Sequence, residues 1–282
     1  MEHSDNVKEL IEIGLNLLKN DNYEDAINFF NKAIELLPDY SDAWFLKGKA
    51  LSASDRYKEA VHCFDKAIEI NPHNSDYWYN KGYASGSIGE YEEAIHCFSR
   101  AIELNPNNSS YWNDKGNGLY RLEIYEEALQ SFDKAIKLEP HNSKYWNNKG
   151  YTLETEGKCE EAIYCYDRAI EIYPDNSIYW NNKGYSSGNT GAYEEAIPCF
   201  DRAISLEPDN SSYWNNKGHA LYKLKRYEEA IHCFDKAIAL NPDNGIYWLN
   251  KGNVLEDSGK YEEGADYFDI AEGLNDKYRR LQ

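Results

Sequence analysis

An all-α solenoid of repeated helical hairpins is the fold this 282-residue sequence predicts, on three observations. The chain repeats itself every 34 residues, with nothing inserted between copies. Each copy holds two runs of apolar residues at helical spacing. Residues that stop helices lie between the runs and again after the second. Self-similarity at a period of about 20–50 residues marks solenoids and related arrays.

With position 1 at residues 7, 41, 75, 109, 143, 177, 211 and 245, the units are 7–40, 41–74, 75–108, 109–142, 143–176, 177–210, 211–244 and 245–278, in one domain over 1–282. A first helix, A, places positions 4, 8 and 11 on one face at about 100° per residue. Position 4 is Trp in seven units, from Trp44 to Trp248, and supplies bulk to that face. Position 8 is Gly in all eight, from Gly14 to Gly252, and lets a second helix approach closely. That second helix, B, carries an apolar stripe at positions 17, 20, 21, 24, 27 and 28: Tyr91, Ala94, Ile95, Phe98, Ala101 and Ile102 in the third unit. Small Ala alternating with aromatics suits interdigitated helix packing. Gly or a polar cluster near position 15 makes the turn, as at Gly89 and Gly157. Pro at position 32, from Pro38 to Pro242, ends helix B, and the Asn and Ser that follow it are expected to cap the next helix A. One such hairpin cannot bury its own core, whereas stacked hairpins can.

Trp at 4, Gly at 8, Ala at 20, an aromatic at 24, Ala at 27 and Pro at 32 together resemble the tetratricopeptide repeat (TPR) over roughly residues 7–276. The resemblance implies a right-handed superhelix with the A helices lining its inside. One departure is regular: position 7, where the family usually has Leu, is Lys in seven units, from Lys47 to Lys251. Its methylene stem is expected to pack while the ammonium reaches water. The ends are atypical, with Leu10 in place of Trp, Gly264 in place of Ala and Asp276 in place of Pro. The tail NDKYRRLQ is polar but short for a solvating helix. The sixth unit is the expected soft spot, since Gly188 lies in helix A and Pro198 in helix B, predicting a kink or early opening over 188–200.

Composition narrows the function. The chain has 30 Lys+Arg against 49 Asp+Glu, a net charge of −19. Nucleic-acid affinity rests on cations displacing counterions, so DNA and RNA are poor partners, and anionic membranes are disfavoured likewise. No stretch approaches the roughly 18 apolar residues of a membrane span, and MEHSDNVKEL has no signal-peptide pattern, so a cytoplasmic location is expected. No nucleophile, base and orienter stand together, so no enzyme and no cofactor is expected.

The A-helix face away from the core holds positions 2, 5, 9, 12 and 13, with 6 on its flank. Position 5 includes Asn113, Asn147, Asn181 and Asn215; position 6 includes Asn80, Asn148, Asn182, Asn216 and Asn250. Position 9 supplies Tyr83, Asn117, Tyr151, Tyr185, His219 and Asn253. A carboxamide offers a donor and an acceptor, matching a peptide bond, so a row of Asn can grip an extended backbone while Tyr adds rigid contact area. Asn at position 6 resembles the asparagine ladder in the TPR superhelix of O-linked N-acetylglucosamine transferase; Asp114 interrupts it, and no transferase activity is implied. The same residues also read as surface Asn spread by duplication. A C-terminal carboxylate clamp would need clustered cations, whereas Lys8, Lys49 and Lys144 are scattered.

Five of the six Cys fall at position 23 and read as reduced, semi-buried filler, as does Cys159 at position 17. His62, His96 and His232 read as helix surface and not as metal ligands. The paired acids of YEEA suit the positive end of helix B. The sequence therefore predicts a non-enzymatic protein-interaction module. It would hold an extended, neutral to basic segment of a protein or peptide partner. The alternative is a scaffold that self-associates through its ends or convex face.

Overall fold

A computed structural model describes residues 2–279, with side chains over 6–274, and the tail side chains beyond lie outside the described residues. The helices are α1 Glu2–Lys19, α2 Tyr23–Leu36, α3 Ser41–Ala53, α4 Tyr57–Ile70, α5 Ser75–Ser87, α6 Tyr91–Leu104, α7 Ser109–Arg121 and α8 Tyr125–Leu138. They continue as α9 Ser143–Thr155, α10 Cys159–Ile172, α11 Ser177–Asn189, α12 Tyr193–Leu206, α13 Ser211–Lys223, α14 Tyr227–Leu240, α15 Gly245–Asp257 and α16 Tyr261–Arg279. Odd helices are the A helices and even ones the B helices of successive repeats. The chain is thus an all-α solenoid of antiparallel helix-turn-helix units.

Two compact units divide it, Met1–Pro140 with α1–α8 and His141–Gln282 with α9–α16. Within each, an A helix packs on its own B helix, and that B helix packs on the next A helix. Successive A helices also touch, while among the described residues no two B helices of one unit do. The stack inside each unit therefore bends toward its A side.

The position-8 glycines set the spacing inside a hairpin. A Cβ built at Gly48, Gly116 or Gly218 would fall 2.6, 2.7 or 2.8 Å from the ring of Phe64, Phe132 or Phe234. Unstrained carbon contacts lie at about 3.5–4.0 Å, so only a bare backbone admits the aromatic at position 24. These rings and the alanines beside them, such as Ala60, Ala67, Ala230 and Ala237, are fully buried.

The tryptophans sit elsewhere than the periodicity suggests. Trp44, Trp78, Trp180 and Trp214 are only half buried. Each indole Nε1 donates to the carbonyl of the loop proline before it, at 2.9 Å for Trp44 to Pro38 and for Trp214 to Pro208. The deep aromatic is instead the tyrosine at position 3. Tyr77 and Tyr111 are 1% and 2% exposed, and Tyr213 is 4% exposed. Its hydroxyl reaches the position-1 serine of the preceding repeat, with Tyr77 to Ser41 at 3.1 Å and Tyr213 to Ser177 at 3.0 Å. Tyr77 and Tyr111 also donate to Asp42 and Asp76 at position 2. That serine is thus used in the seam, and capping falls to the Asn before it: the side chains of Asn74, Asn176 and Asn210 accept from the backbone N–H of Asp76, Ile178 and Ser212.

The turns are left-handed at position 15. Gly89, Gly157, Gly191 and Gly259 adopt φ of 84°, 78°, 86° and 90°, and Asp21, Asp55, Glu123 and Lys225 adopt the same region without glycine's freedom. All six cysteines are buried free thiols. Burial pushes Cys63 and Cys233 up to about 11 and Cys97 up to about 12, which keeps them as inert thiols at neutral pH. His62, His96 and His232 stand edge-on to Trp44, Trp78 and Trp214 with centroids 6.0–6.5 Å apart. No group of three or more His, Cys, Asp or Glu among the described residues is placed to hold a metal ion. No described helix is long and apolar enough to cross a membrane.

The sixth repeat keeps the common lengths: α11 has 13 residues and α12 has 14. Gly188 is the penultimate residue of α11, where fraying makes glycine cheap, and helix α12 runs through Pro198 unbroken. The proline still removes one backbone bond beyond the first turn. Amides over 188–200 should exchange faster than those over 154–166 in the fifth repeat, and equal protection would remove the soft spot. Gly218→Ala should lower stability by about 1–3 kcal/mol in a urea titration through overpacking against Phe234; an unchanged midpoint would show that the hairpin can open at no cost.

Candidate functional site

The A side of each unit carries the residues singled out from the sequence, and the two units use them differently. In the second unit the asparagines bond to one another across repeats. Asn182 Nδ2 donates to Asn147 Oδ1 at 3.1 Å, Asn216 to Asn181 at 2.9 Å and Asn250 to Asn215 at 2.8 Å. Each position-6 amide thus reaches the position-5 amide of the repeat before it. Within a repeat the pair is linked only loosely, Asn215 to Asn216 at 3.4 Å. The result is a chain of carboxamides along α9, α11, α13 and α15. Asn148 and Asn253 are half buried on the same helices.

Beside this chain stand the position-9 residues. Tyr151 and Tyr185 are 46% and 48% exposed. His219 is also exposed. Partial desolvation, then the charge of Lys223, holds its imidazole below the ordinary range, so it is neutral at pH 7. A cleft of about 400 Å³ brings Tyr185, His219, Asn215, Asn216 and Asn250 together, over a floor of Gly184, Gly188, Phe200 and Ala220. No lysine, arginine, aspartate or glutamate lines it.

In the first unit the same positions form no amide chain. Asn80 Nδ2 turns back to the Asp76 carbonyl of its own helix at 2.8 Å. Position 5 holds Phe45 and Tyr79, which pack on Tyr77 and Tyr111 with centroids 4.8 and 4.7 Å apart. Aromatic bulk thus sits where the second unit has amides. Tyr79 donates its hydroxyl to Asp114 at 2.7 Å, and Asn113 donates to the other carboxylate oxygen at 2.8 Å, with Asn117 a weaker third at 3.5 Å. Tyr83, 52% exposed, and Asn117 line a smaller cleft of about 210 Å³ with Asp114 and Arg121.

The expectation for the position-7 lysines needs correcting. In Lys81, Lys183, Lys217 and Lys251 the ammonium turns to the aspartate at position 25 of the preceding helix B instead of water, whereas Lys47, which follows Asn31 at that position, lies over the Trp44 ring. Lys81 meets Asp65 at 2.8 Å and Glu93 at 2.5 Å; Lys183, Lys217 and Lys251 meet Asp167, Asp201 and Asp235 at 2.5–2.6 Å. Burial works against the charge on Lys81, but the two carboxylates outweigh it and raise its pKa. Where position 25 is Ser99 this pairing has no partner to offer Lys115. Glu93 of a YEEA motif is thus a cross-helix partner as well as a dipole-matched residue.

Glu154, at position 12 on the A-helix face away from the core by spacing, belongs instead to a polar cluster with buried Tyr166 and Ser186. Glu154 accepts from Ser186 in the next repeat and from the hydroxyl of Tyr166 at 3.3 Å. Tyr166 is the sole tyrosine at position 24, which is the signal that marked it. Burial raises the Glu154 carboxyl above the ordinary range, against the pull of those two donors.

Family models described as tetratricopeptide repeat match residues 75–108, 177–210 and 211–244, and others of the same description match 17–82, 113–177 and 233–264. No curated protein matches the chain. Among solved structures it is similar to YrrB, described as a TPR protein with an unusual peptide-binding site, at 25% identity over 66% of this chain and 96% of that one, TM-score 0.57. A tetratricopeptide repeat protein from Parabacteroides merdae aligns at 16% identity over 89% of this chain and 99% of that one, TM-score 0.66. The APC/C hetero-tetramer Cut9–Hcn1 aligns at 18% identity over 92% of this chain and 52% of that one, TM-score 0.61.

Asp114 offers a pH test. Burial raises its carboxyl, and the bonds from Tyr79, Asn113 and Asn117 only partly offset this. The folded state holds the proton more tightly than the unfolded chain. The stability this contributes is full below the ordinary value of 3.8 and is lost as pH rises through the higher folded value. Asp114→Asn should therefore match or exceed the parent's stability at pH 7. A loss of more than about 1 kcal/mol would mean that the ionised carboxylate is needed by its three donors.

Proposed function

The chain belongs to the tetratricopeptide-repeat family, and from that premise we propose that it is a non-enzymatic protein-interaction module whose A-helix face holds an extended segment of a partner. The observation that carries this reading is the carboxamide chain Asn147–Asn182, Asn181–Asn216 and Asn215–Asn250, flanked by exposed Tyr185 and His219. Each amide has two N–H donors and an oxygen with two lone pairs. The chain occupies about half of that capacity and fixes the amides in place. The remaining capacity suits the alternating donors and acceptors of an extended backbone. Fixing the groups beforehand lowers the entropic cost of binding. Similarity to a TPR protein described by its peptide-binding site supports the same use.

The partner's character follows from charge. The cleft itself is uncharged and the chain around it carries a net −19. A neutral to basic protein segment suits that field, and a phosphate backbone does not.

The test is selection from a displayed library of random peptides. Enrichment of linear sequences is expected, and Tyr185→Ala with His219→Ala should weaken their binding about tenfold or more while the melting temperature holds, since both side chains are exposed. Enriched peptides that bind the double variant as well as the parent would move the site off this face.

A further inference from the structure

Glycine occurs at position 12 in two repeats, Gly86 and Gly188, and in each unit the cleft on the A side opens at that glycine. Elsewhere position 12 is Leu18, Ser52, Tyr120, Glu154, Tyr222 or Glu256. These two glycines differ from those at position 8. A Cβ at Gly184, one turn earlier on the same helix, would lie 2.8 Å from the ring of Phe200, so packing demands that glycine. A Cβ at Gly188 would meet only the ring of Tyr193, at an ordinary 3.9 Å, and one at Gly86 only Ala94, at 3.6 Å. Neither has a positive φ. Neither packing nor backbone conformation calls for glycine at 188. What its bare backbone does is leave space.

We propose that the Gly188 cleft is a selectivity pocket that receives one uncharged aromatic side chain of the bound segment; this rests on the groove reading above. Its lining states the chemistry. Tyr185, Tyr193 and Phe200 present rings to the space, and Asn189, Asn216 and His219 supply hydrogen-bonding groups. Rings favour offset or edge contacts with another ring, and the polar groups suit a phenol hydroxyl or an indole N–H. No ionised side chain is present to pair with a charged guest, and burying an unpaired charge there would be costly. A volume of about 400 Å³ lies within the usual range of ligand pockets, about 300–1,000 Å³. The neighbouring amide chain would hold the backbone on either side, so the pocket adds side-chain choice to a grip that reads none. The corresponding cleft at Gly86 is smaller and carries Asp114 and Arg121, so it offers a different chemistry from the same device.

The experiment compares the parent with Gly188→Leu, which restores the bulk that Leu18 supplies in the first repeat. The variant should melt no lower than the parent, since the site has room and leucine favours helix. Both proteins are titrated, by NMR, with N-acetyltryptophanamide, N-acetyltyrosinamide and N-acetylleucinamide, and by peptides from the library with their aromatic residues changed to alanine. The pocket is supported if the aromatic amides shift the resonances of Gly188, Tyr193 and His219 in the parent and not in the variant. It is supported further if alanine replacement weakens peptides about tenfold in the parent and less than about twofold in the variant. It is overturned if the leucine amide shifts the same resonances equally, if no amide does, or if the variant retains the aromatic preference. Peptides that bind without any aromatic preference would overturn the pocket and leave the groove standing. Aromatic amides seated at Gly188 with no peptide enriched would support the pocket's chemistry and sink the groove instead.

Discussion

The contact on which the rest of this molecule depends is an aromatic ring laid against a stretch of helix with no side chain. At every position 8 the ring from position 24 occupies the place where a Cβ would stand, less than 3 Å from it. That contact fixes how near helix B can come to helix A. Fully burying such a ring contributes roughly 1.5–3 kcal/mol, and it recurs in each hairpin. Once the hairpin has one thickness, the next hairpin meets it at one offset, and every cross-repeat bond can recur.

Those bonds form separate seams. The Tyr–Ser contact is buried, the Trp–Pro contact sits at the loop edge, the Lys–Asp pair bridges helix B to the next helix A, and the amide chain runs along the bent side. Each gives a partner to a polar group that the stacking would otherwise strand, which matters because an unpaired buried group costs about 1–3 kcal/mol. The division of labour also explains why side chains on the A side can stand clear of the packing. The structural fastenings lie mostly in the core and toward helix B, so Tyr83 and Tyr185 can stand out from the stack without weakening it.

Much of this was legible from periodicity. The hairpins, the unpaired thiols and the close approach at Gly48 or Gly218 all follow from which residue types recur at helical spacing. The less legible parts have definite physical reasons. Tyr at position 3 and Trp at position 4 are adjacent aromatics at a helix start, about 100° apart, and spacing alone does not say which turns inward. The aspartate that meets Lys217 is Asp201, 16 residues earlier on another helix, so its role appears only when the stack is built. The asparagines were legible as a row but not as a chain, because hydrogen bonding between Asn216 and Asn181 depends on how the hairpins lean. Gly188 was read as a defect in helix A; the space it leaves shows only beside Tyr193 and Phe200.

The seams have one more property. Nearly all of them join a residue to another at a constant separation: 36 positions from Tyr213 back to Ser177, 35 from Asn216 back to Asn181, 16 from Lys217 back to Asp201. A whole repeat copied or deleted in the gene therefore brings both halves of its joints with it, and the new neighbours fit without further mutation. Such a chain can change length by recombination far more readily than by point change. The exceptions are the places where two neighbours share a bond no other pair can make, as Tyr79 does with Asp114 and Glu154 with Ser186. At those joints the order of repeats has become part of the inheritance.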